Sequence, residues 1–260
     1  MTGVQTCALP IYLSSAGLLR FDHVMSLHRL YWIPAGRPAS EGVYVRYPAE
    51  EWYAVLGIES HRHRAVIVGE NLGTVPPVVN RSLARHGVRG MHVAQYELGD
   101  PDRRRLPVPP VACVASLNTH DMPPFAAYWR GLDIRDRFAL GLLDRSGLVS
   151  EHRQRKEVRG TLVRLLRRRL ASGSRGRGVR SILGALWAQL SAGPAEVLLA
   201  NVEDVWLETL SQNMPGTSSE RRNWRQKCRF SLEQWDRLPA MQQALAALGR
   251  RPDRKTKSSL

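Results

Sequence analysis

The chain has 260 residues and a mass of 29.3 kDa, enough for one large domain or two small ones with an ample core and no need of disulfide scaffolding. With 43% hydrophobic and 23% charged residues and no apolar run near the roughly 18 residues of a membrane span, both a transmembrane protein and a wholly disordered one are excluded. The net charge of +15 and the isoelectric point near 10.7 describe a surface that attracts nucleic acid or anionic lipid.

Only four of the 38 cations are lysines, Lys156, Lys227, Lys255 and Lys257. The arginines are spread through nearly every segment, which fits a compositional bias better than one binding face. The three cysteines, Cys7, Cys113 and Cys228, are far apart and form no CxxC pair, so neither a disulfide framework nor a zinc site is implied and a reducing, cytoplasmic setting fits.

Residues 1–16 read as a leader joined poorly to the segment after it. Met1–Ile11 has a short apolar stretch but neither a basic start nor a small-residue cleavage site, so it is not a secretory signal; a foreign leader on a truncated chain is the expectation. Five apolar runs bounded by turn residues come next, with helical stretches between them, the pattern of βα units around a parallel sheet. They are Gly17–Phe21, Ala65–Gly69, Met91–Tyr96, Val111–Leu117 and Val197–Val202.

Between the fourth and fifth runs, Val158, Leu162, Leu165, Leu166 and Leu170 recur at helical spacing and form one apolar face. The opposite face carries Arg159, Arg164, Arg167, Arg168 and Arg169, which reads as a solvated surface as readily as a nucleic-acid or membrane contact. The glycine-rich Gly173–Gly178 follows a helix rather than a strand and so lacks the context of a phosphate loop. Ser181–Ala192 reads as another helix, Asn213–Glu220 as a turn-rich loop and Arg250–Leu260 as a polar tail.

The acids stand out by position. Asp22 directly follows the first run, Glu70 directly follows the second, and Asp121 lies four residues beyond the fourth. In a parallel βα sheet or barrel, the C-terminal strand ends open on one face, so these three carboxylates converge. Glycosidic chemistry needs such a group: one carboxylate ionised to attack or stabilise an oxocarbenium-like carbon, another protonated to release the leaving oxygen. Arg20, two residues before Asp22 on an extended strand, lies on the same side and favours the ionised form. His120 can donate to a sugar hydroxyl, and Trp32, Tyr44, Tyr128 and Trp129 offer ring faces of the kind on which sugars pack. Taken singly, an acid after a strand also serves as a helix cap and an aromatic ring also serves as core. His61 and His63 lack a third spaced metal ligand, and neither a P-loop nor a GxSxG motif is present.

The strings Leu19–Gly36 (LRFDHVMSLHRLYWIPAG), Tyr44–Pro48 (YVRYP), Glu59–Arg62 (ESHR), Val68–Pro76 (VGENLGTVP), Asn118–Pro124 (NTHDMPP), Gln212–Thr217 (QNMPGT) and Glu220–Trp224 (ERRNW) closely resemble the 4-α-glucanotransferases, or amylomaltases, of glycoside hydrolase family 77. The blocks run in order from about Gly17 to about Trp235. The resemblance implies a TIM-type (β/α)8 barrel that cleaves an α-1,4-glucan with retention and passes the glycan to the 4-hydroxyl of glucose or a maltooligosaccharide, with no metal or organic cofactor. By the same resemblance Asp22 matches the nucleophile, Glu70 the general acid/base, and Asp121 the acid that binds the glucose at the cleavage point. Arg20 and His120 match residues that hold the nucleophile and that same sugar.

Ser26 and Asn71 depart from the family's usual Gly and Asp. The family's chains are also much longer, and Asp22 belongs after their fourth barrel strand. Residues 17–249 are therefore expected to supply only strands four to eight, an incomplete barrel with unpaired edges, followed by a tail at 250–260. By itself such a chain is expected to be inactive and prone to aggregate. Two other readings accompany the enzyme: a basic nucleic-acid-binding protein, for which no recognition motif is present, and an inactive scaffold. Amylose binding against DNA binding that falls steeply with salt separates the first two; no nucleic acid and no membrane partner is expected.

Overall fold

A computed structural model describes residues 2–170 and 178–249. The glycine-rich run through residue 177 and the tail from Arg250 lie outside the described residues. The chain divides into two compact units, Met1–His92 with Ala112–Val114, and Val93–Val111 with Ala115–Leu260.

The first unit holds α1 (Thr2–Leu13), β1 (Leu18–Phe21), β2 (Arg29–Trp32), β3 (Val43–Arg46), α2 (Ala49–His63), β4 (Val66–Gly69), α3 (Pro77–Arg85) and the greater part of β5 (Gly90–Val93). The segment read as a leader forms α1, whose Leu9 and Leu13 join Val24, Leu27, Tyr53, Leu56, Ile67 and Leu83 in one core cluster. Strands β1 and β4 pair in parallel with Leu18 opposite Val66 and Phe21 opposite Gly69. Val68 then makes a parallel bridge to Arg89, just before β5. In β4 the residues Ile67, Val68 and Gly69 are all buried, as expected of a parallel strand covered on both faces. Gly69 is required by close packing: a Cβ there would lie 2.8 Å from Val24 Cγ2 and 3.1 Å from Leu83 Cδ2.

Strands β2 and β3 form an antiparallel ribbon with Tyr31 opposite Tyr44, their rings 5.0 Å apart. The expectation of βα units alone did not include this ribbon. Its four-residue strands expose most of their side chains, so no buried apolar run marks them.

The second unit holds α4 (Ala94–Glu97), half of β6 (Cys113–Ser116), α5 (Phe125–Arg130), α6 (Leu132–Ala139), α7 (Arg145–Leu166), α8 (Val179–Ser191), β7 (Val197–Leu199), α9 (Val202–Val205), α10 (Leu232–Trp235) and α11 (Pro239–Leu248). The strand order β5-β6-β7 follows the chain, and the division between units runs through β5 and β6. Among the described residues no sheet closes on itself. All five expected strands are shorter than their apolar runs, and at two of them the chain turns into a helix. Met91–Tyr96 leaves the extended form at Ala94, where Gln95 turns inward and its N–H donates to the Leu117 carbonyl at 2.8 Å. Val197–Val202 stops at Leu199, and the chain turns into α9.

The helical face expected around Val158 is real: Val158, Leu162 and Leu166 of α7 are buried against Ile182, Leu183, Leu186 and Trp187 of α8 in one cluster. Arg159, Arg164, Arg167, Arg168 and Arg169 are all exposed. Arg159 lies over the Trp129 ring at 4.9 Å, and Arg169 donates to Gln189 Oε1 at 3.1 Å. Part of the arginine bias thus has packing and hydrogen-bonding uses within the unit. Asp144 caps α7, accepting the Gly147 N–H at 2.7 Å.

Candidate active site

In the first unit the strand pairing places two of the three acids together. Asp22 and Glu70 each follow a register-paired strand end, Phe21 and Gly69. The ladder continues past them: the Glu70 N–H donates to the Phe21 carbonyl at 2.8 Å, and the Val24 N–H donates to the Glu70 carbonyl at 3.0 Å. Between these bonds His23 adopts a left-handed conformation, φ 44°, sparsely populated for a non-glycine residue and of a kind that clusters at functional sites.

That turn aims the His23 N–H at Glu70 Oε2, 3.0 Å away, while the Leu72 N–H reaches Oε1 at 2.6 Å. Two main-chain donors therefore hold the carboxylate, one of them from the residue after Asp22. Arg20 behaves as its spacing predicts: its Nη2 lies 2.6 Å from Asp22 Oδ1. Its Nε also contacts Met91 Sδ at 3.4 Å. Asn71 donates to Asn80 Oδ1 at 2.9 Å and accepts the Met91 N–H at 2.8 Å. The amide thus joins β4 to the start of β5, using a donor and an acceptor where an aspartate has acceptors alone.

Asp121 and His120 lie in the second unit, in the loop between β6 and α5. His120 Nε2 is 3.3 Å from Asp121 Oδ2, and Asn213 Nδ2 donates to Asp121 Oδ1 at 2.6 Å. Asp121 borders a cavity of about 370 Å³ whose wall includes Tyr96, Met122, Tyr128, Asp133 and Arg155. His120 borders a second, of about 280 Å³, with Thr119, Asn201, Glu203, Gln212 and Trp224. The Trp224 ring sits 5.4 Å from His120 and is more than half exposed, on a backbone with φ 59°.

The four aromatic residues expected to meet sugar divide. Trp32 and Tyr44 stand half or more exposed on the β2–β3 ribbon, although Arg29 covers the Tyr44 ring at 4.0 Å. Tyr128 and Trp129 are buried with Phe125 in the core, and the Arg155 guanidinium lies 3.7 Å over the Tyr128 ring. Arginines of α7 lie over both rings, Arg155 over Tyr128 and Arg159 over Trp129, while Tyr128 also borders the cavity beside Asp121. Spacing along the chain does not single out Trp224 or Asn213 as individual contacts, although they fall within the ERRNW and QNMPGT strings. His61 and His63 lie on α2, and His63 Nε2 is 3.5 Å from Glu59.

The class of protein is given first by the fold. The chain superposes on the amylomaltase of Corynebacterium glutamicum with a TM-score of 0.80 at 24% identity, covering 94% of this chain and 37% of that one. It superposes on an amylomaltase from Streptococcus agalactiae in complex with acarbose with a TM-score of 0.68 at 18% identity, covering 96% and 45%. This is an α/β chain with the fold of the amylomaltases.

A sequence model of the glycoside hydrolase 77 family, described as 4-alpha-glucanotransferase, matches residues 8–233, and the chain belongs to that family. The 4-alpha-glucanotransferase of Mycobacterium tuberculosis (strain H37Rv) is 36% identical over 220 residues, 82% of this chain and 30% of the relative. That of Haemophilus influenzae is 31% identical over 218 residues, 81% and 31%. The chain thus spans about a third of the length of the curated relatives it matches. No helix among the described residues is long and apolar enough to cross a membrane.

Proposed function

We propose that Asp22, Glu70 and Asp121 carry the chemistry of a retaining glucanotransferase acting on α-1,4-glucans. In this reading Glu70 protonates the leaving glycosidic oxygen while Asp22 attacks the anomeric carbon. Glu70, now ionised, then takes the proton of the acceptor's 4-hydroxyl as that oxygen displaces Asp22; two inversions give net retention. Asp121 and His120 hold hydroxyls of the glucose at the cleavage point, and Arg20 keeps Asp22 oriented. The donor is an α-1,4-glucan, and the acceptor is glucose or a maltooligosaccharide. Strands β1, β4, β5, β6 and β7 would be strands four to eight of a (β/α)8 barrel.

The observation that carries the reading is the matched placement of Asp22 and Glu70 just beyond paired parallel strand ends, with Glu70 bonded to the main chain of His23. The names of the relatives and the acarbose bound to the Streptococcus agalactiae amylomaltase support a glucan substrate.

The test uses maltotriose, with glucose and longer products followed by chromatography. The chain is assayed alone and fused behind the part of the Mycobacterium tuberculosis relative that precedes the matched segment. The fusion is expected to disproportionate maltotriose, and Asp22→Asn or Glu70→Gln to lower the rate about 1000-fold or more. The isolated chain is expected to be inactive. A folded fusion that leaves maltotriose untouched, or that keeps its rate without either acid, overturns the reading.

A further inference from the structure

Asp204 is fully buried and belongs to none of the groups assigned above. It stands in α9, just beyond β7, and its two carboxyl oxygens are used on opposite ends of one loop. Oδ2 accepts from Asn118 Nδ2 at 2.8 Å, and Oδ1 accepts the Phe125 N–H at 2.6 Å. Asn118 opens the loop that bears His120 and Asp121, and Phe125 closes it as the first residue of α5.

Two further bonds hold the same loop. Asn201 Nδ2 donates to Asn118 Oδ1 at 2.6 Å, so both polar atoms of the Asn118 amide are engaged. Gln95 Nε2 donates to the Pro123 carbonyl at 3.1 Å. A buried carboxylate is costly to retain unless its lone pairs are occupied. Here the occupants are the two ends of the segment whose geometry fixes Asp121.

We infer that Asp204 is a positioning residue that clamps the Asn118–Phe125 loop and so sets where Asp121 and His120 stand. What that position serves rests on the glucanotransferase reading; the clamp itself rests on the bonds alone. The donor and acceptor order makes the inference specific. In Asp204→Asn, either the Phe125 N–H keeps its acceptor and the new amide N–H faces the Asn118 amide N–H, or the reverse. In Asn118→Asp two carboxylates face each other. The exchange of the pair, Asn118→Asp with Asp204→Asn, restores an alternating order. The amide introduced at position 204 then accepts the Phe125 N–H on its oxygen and donates its own N–H to the carboxylate introduced at position 118, which still accepts from Asn201.

The experiment is hydrogen exchange read by mass spectrometry on the 260-residue chain, wild type and the three variants, with the loop peptide spanning Asn118–Phe125 compared against peptides from α7 and α8. Each single substitution is expected to lower loop protection about tenfold or more relative to the helices, and the exchanged pair to restore most of it. If Asp204→Asn does not fold, the exchanged pair decides: a folded chain with a protected loop supports the clamp. An exchanged pair as unprotected as Asp204→Asn, or single variants with wild-type loop protection, overturns it. Maltotriose disproportionation by the fusion described above keeps the two readings apart. Loop protection that follows the exchange pattern, with no transfer by any form, leaves the clamp standing and removes the glucanotransferase reading.

Discussion

The carboxylate of Glu70 accepts the main-chain N–H of His23 at 3.0 Å, a bond made possible by the left-handed turn of His23. Its consequence is that Glu70 is referenced to the backbone next to Asp22 rather than to a mobile side chain. In the proposed chemistry the acid/base and the nucleophile must keep a separation of about 5 to 5.5 Å through two displacements. A main-chain tether across paired strand ends holds such a distance better than an exposed ion pair, because errors of well under an ångström matter to the rate.

Arg20 is bonded to Asp22 at 2.6 Å, but the pair is exposed, and exposed pairs contribute little to stability, about 0–1 kcal/mol. Arg20→Ala is therefore expected to shift thermal unfolding only slightly while lowering transfer by about tenfold or more through loss of nucleophile orientation. Melting curves and maltotriose turnover of the fusion check this. A large loss of stability with unchanged turnover would reverse the assignment.

Gly69 stands at the β4 end, against Val24 and Leu83. Gly69→Ala forces its methyl group into two buried side chains, and the expected cost is about 1–3 kcal/mol, the usual range for an overfilled core. Urea denaturation measures it. An unchanged midpoint contradicts the close packing of this strand end.

Burial raises the Asp204 carboxyl from its ordinary 3.8 to about 6, an effect opposed by the Phe125 N–H and the Asn118 amide and aided by the nearby Glu203. Between pH 3.8 and about 6 the folded chain keeps a proton that the unfolded chain has released. Stability from this group is thus fully present below 3.8 and is lost as pH rises towards 6, by about 3 kcal/mol in all. Asp204→Asn removes this component. Urea midpoints across pH 4 to 7 for both forms are expected to differ in slope within that window, and equal slopes would count against a raised Asp204.

Leu162 is buried between α7 and the core, whereas Arg167 and Arg168 are exposed on the same stretch of chain. Leu162→Ala is expected to cost about 2–5 kcal/mol. The double replacement of Arg167 and Arg168 by alanine is expected to cost less than about 1 kcal/mol. Duplex DNA binding, titrated from low to physiological salt, is expected to be negligible. Tight binding at low salt that falls steeply as salt rises and is weakened in the arginine variant would favour the nucleic-acid reading.

Strands β4 and β6 were legible because a buried strand reads as a short continuous apolar run; β1, only partly buried, showed as a run broken by Arg20, and Asp22 and Glu70 drew notice because each directly follows such a run. The Arg20–Asp22 pair followed from the two-residue period of an extended strand. The β2–β3 ribbon did not show, since its half-exposed strands lack a buried run. The ends of β5 and β7 did not show either: the apolar pattern continues through Gln95 and Asn201, and only their distant partners turn the chain there.

Local order along the chain, periodicity and the acids near three of the apolar runs are properties of neighbouring residues, enough to single out candidate acids, and the motif strings were enough for the family resemblance. Which ring faces solvent and which is covered was settled by packing between helices, as Arg155 over Tyr128 and Arg159 over Trp129 illustrate. The clamp on the Asp121 loop was settled in the same way. Asn118 meets Asp204 across 86 residues and Asn213 meets Asp121 across 92, separations at which no local propensity acts. A buried carboxylate or amide acquires its meaning only when folding brings its partner to it.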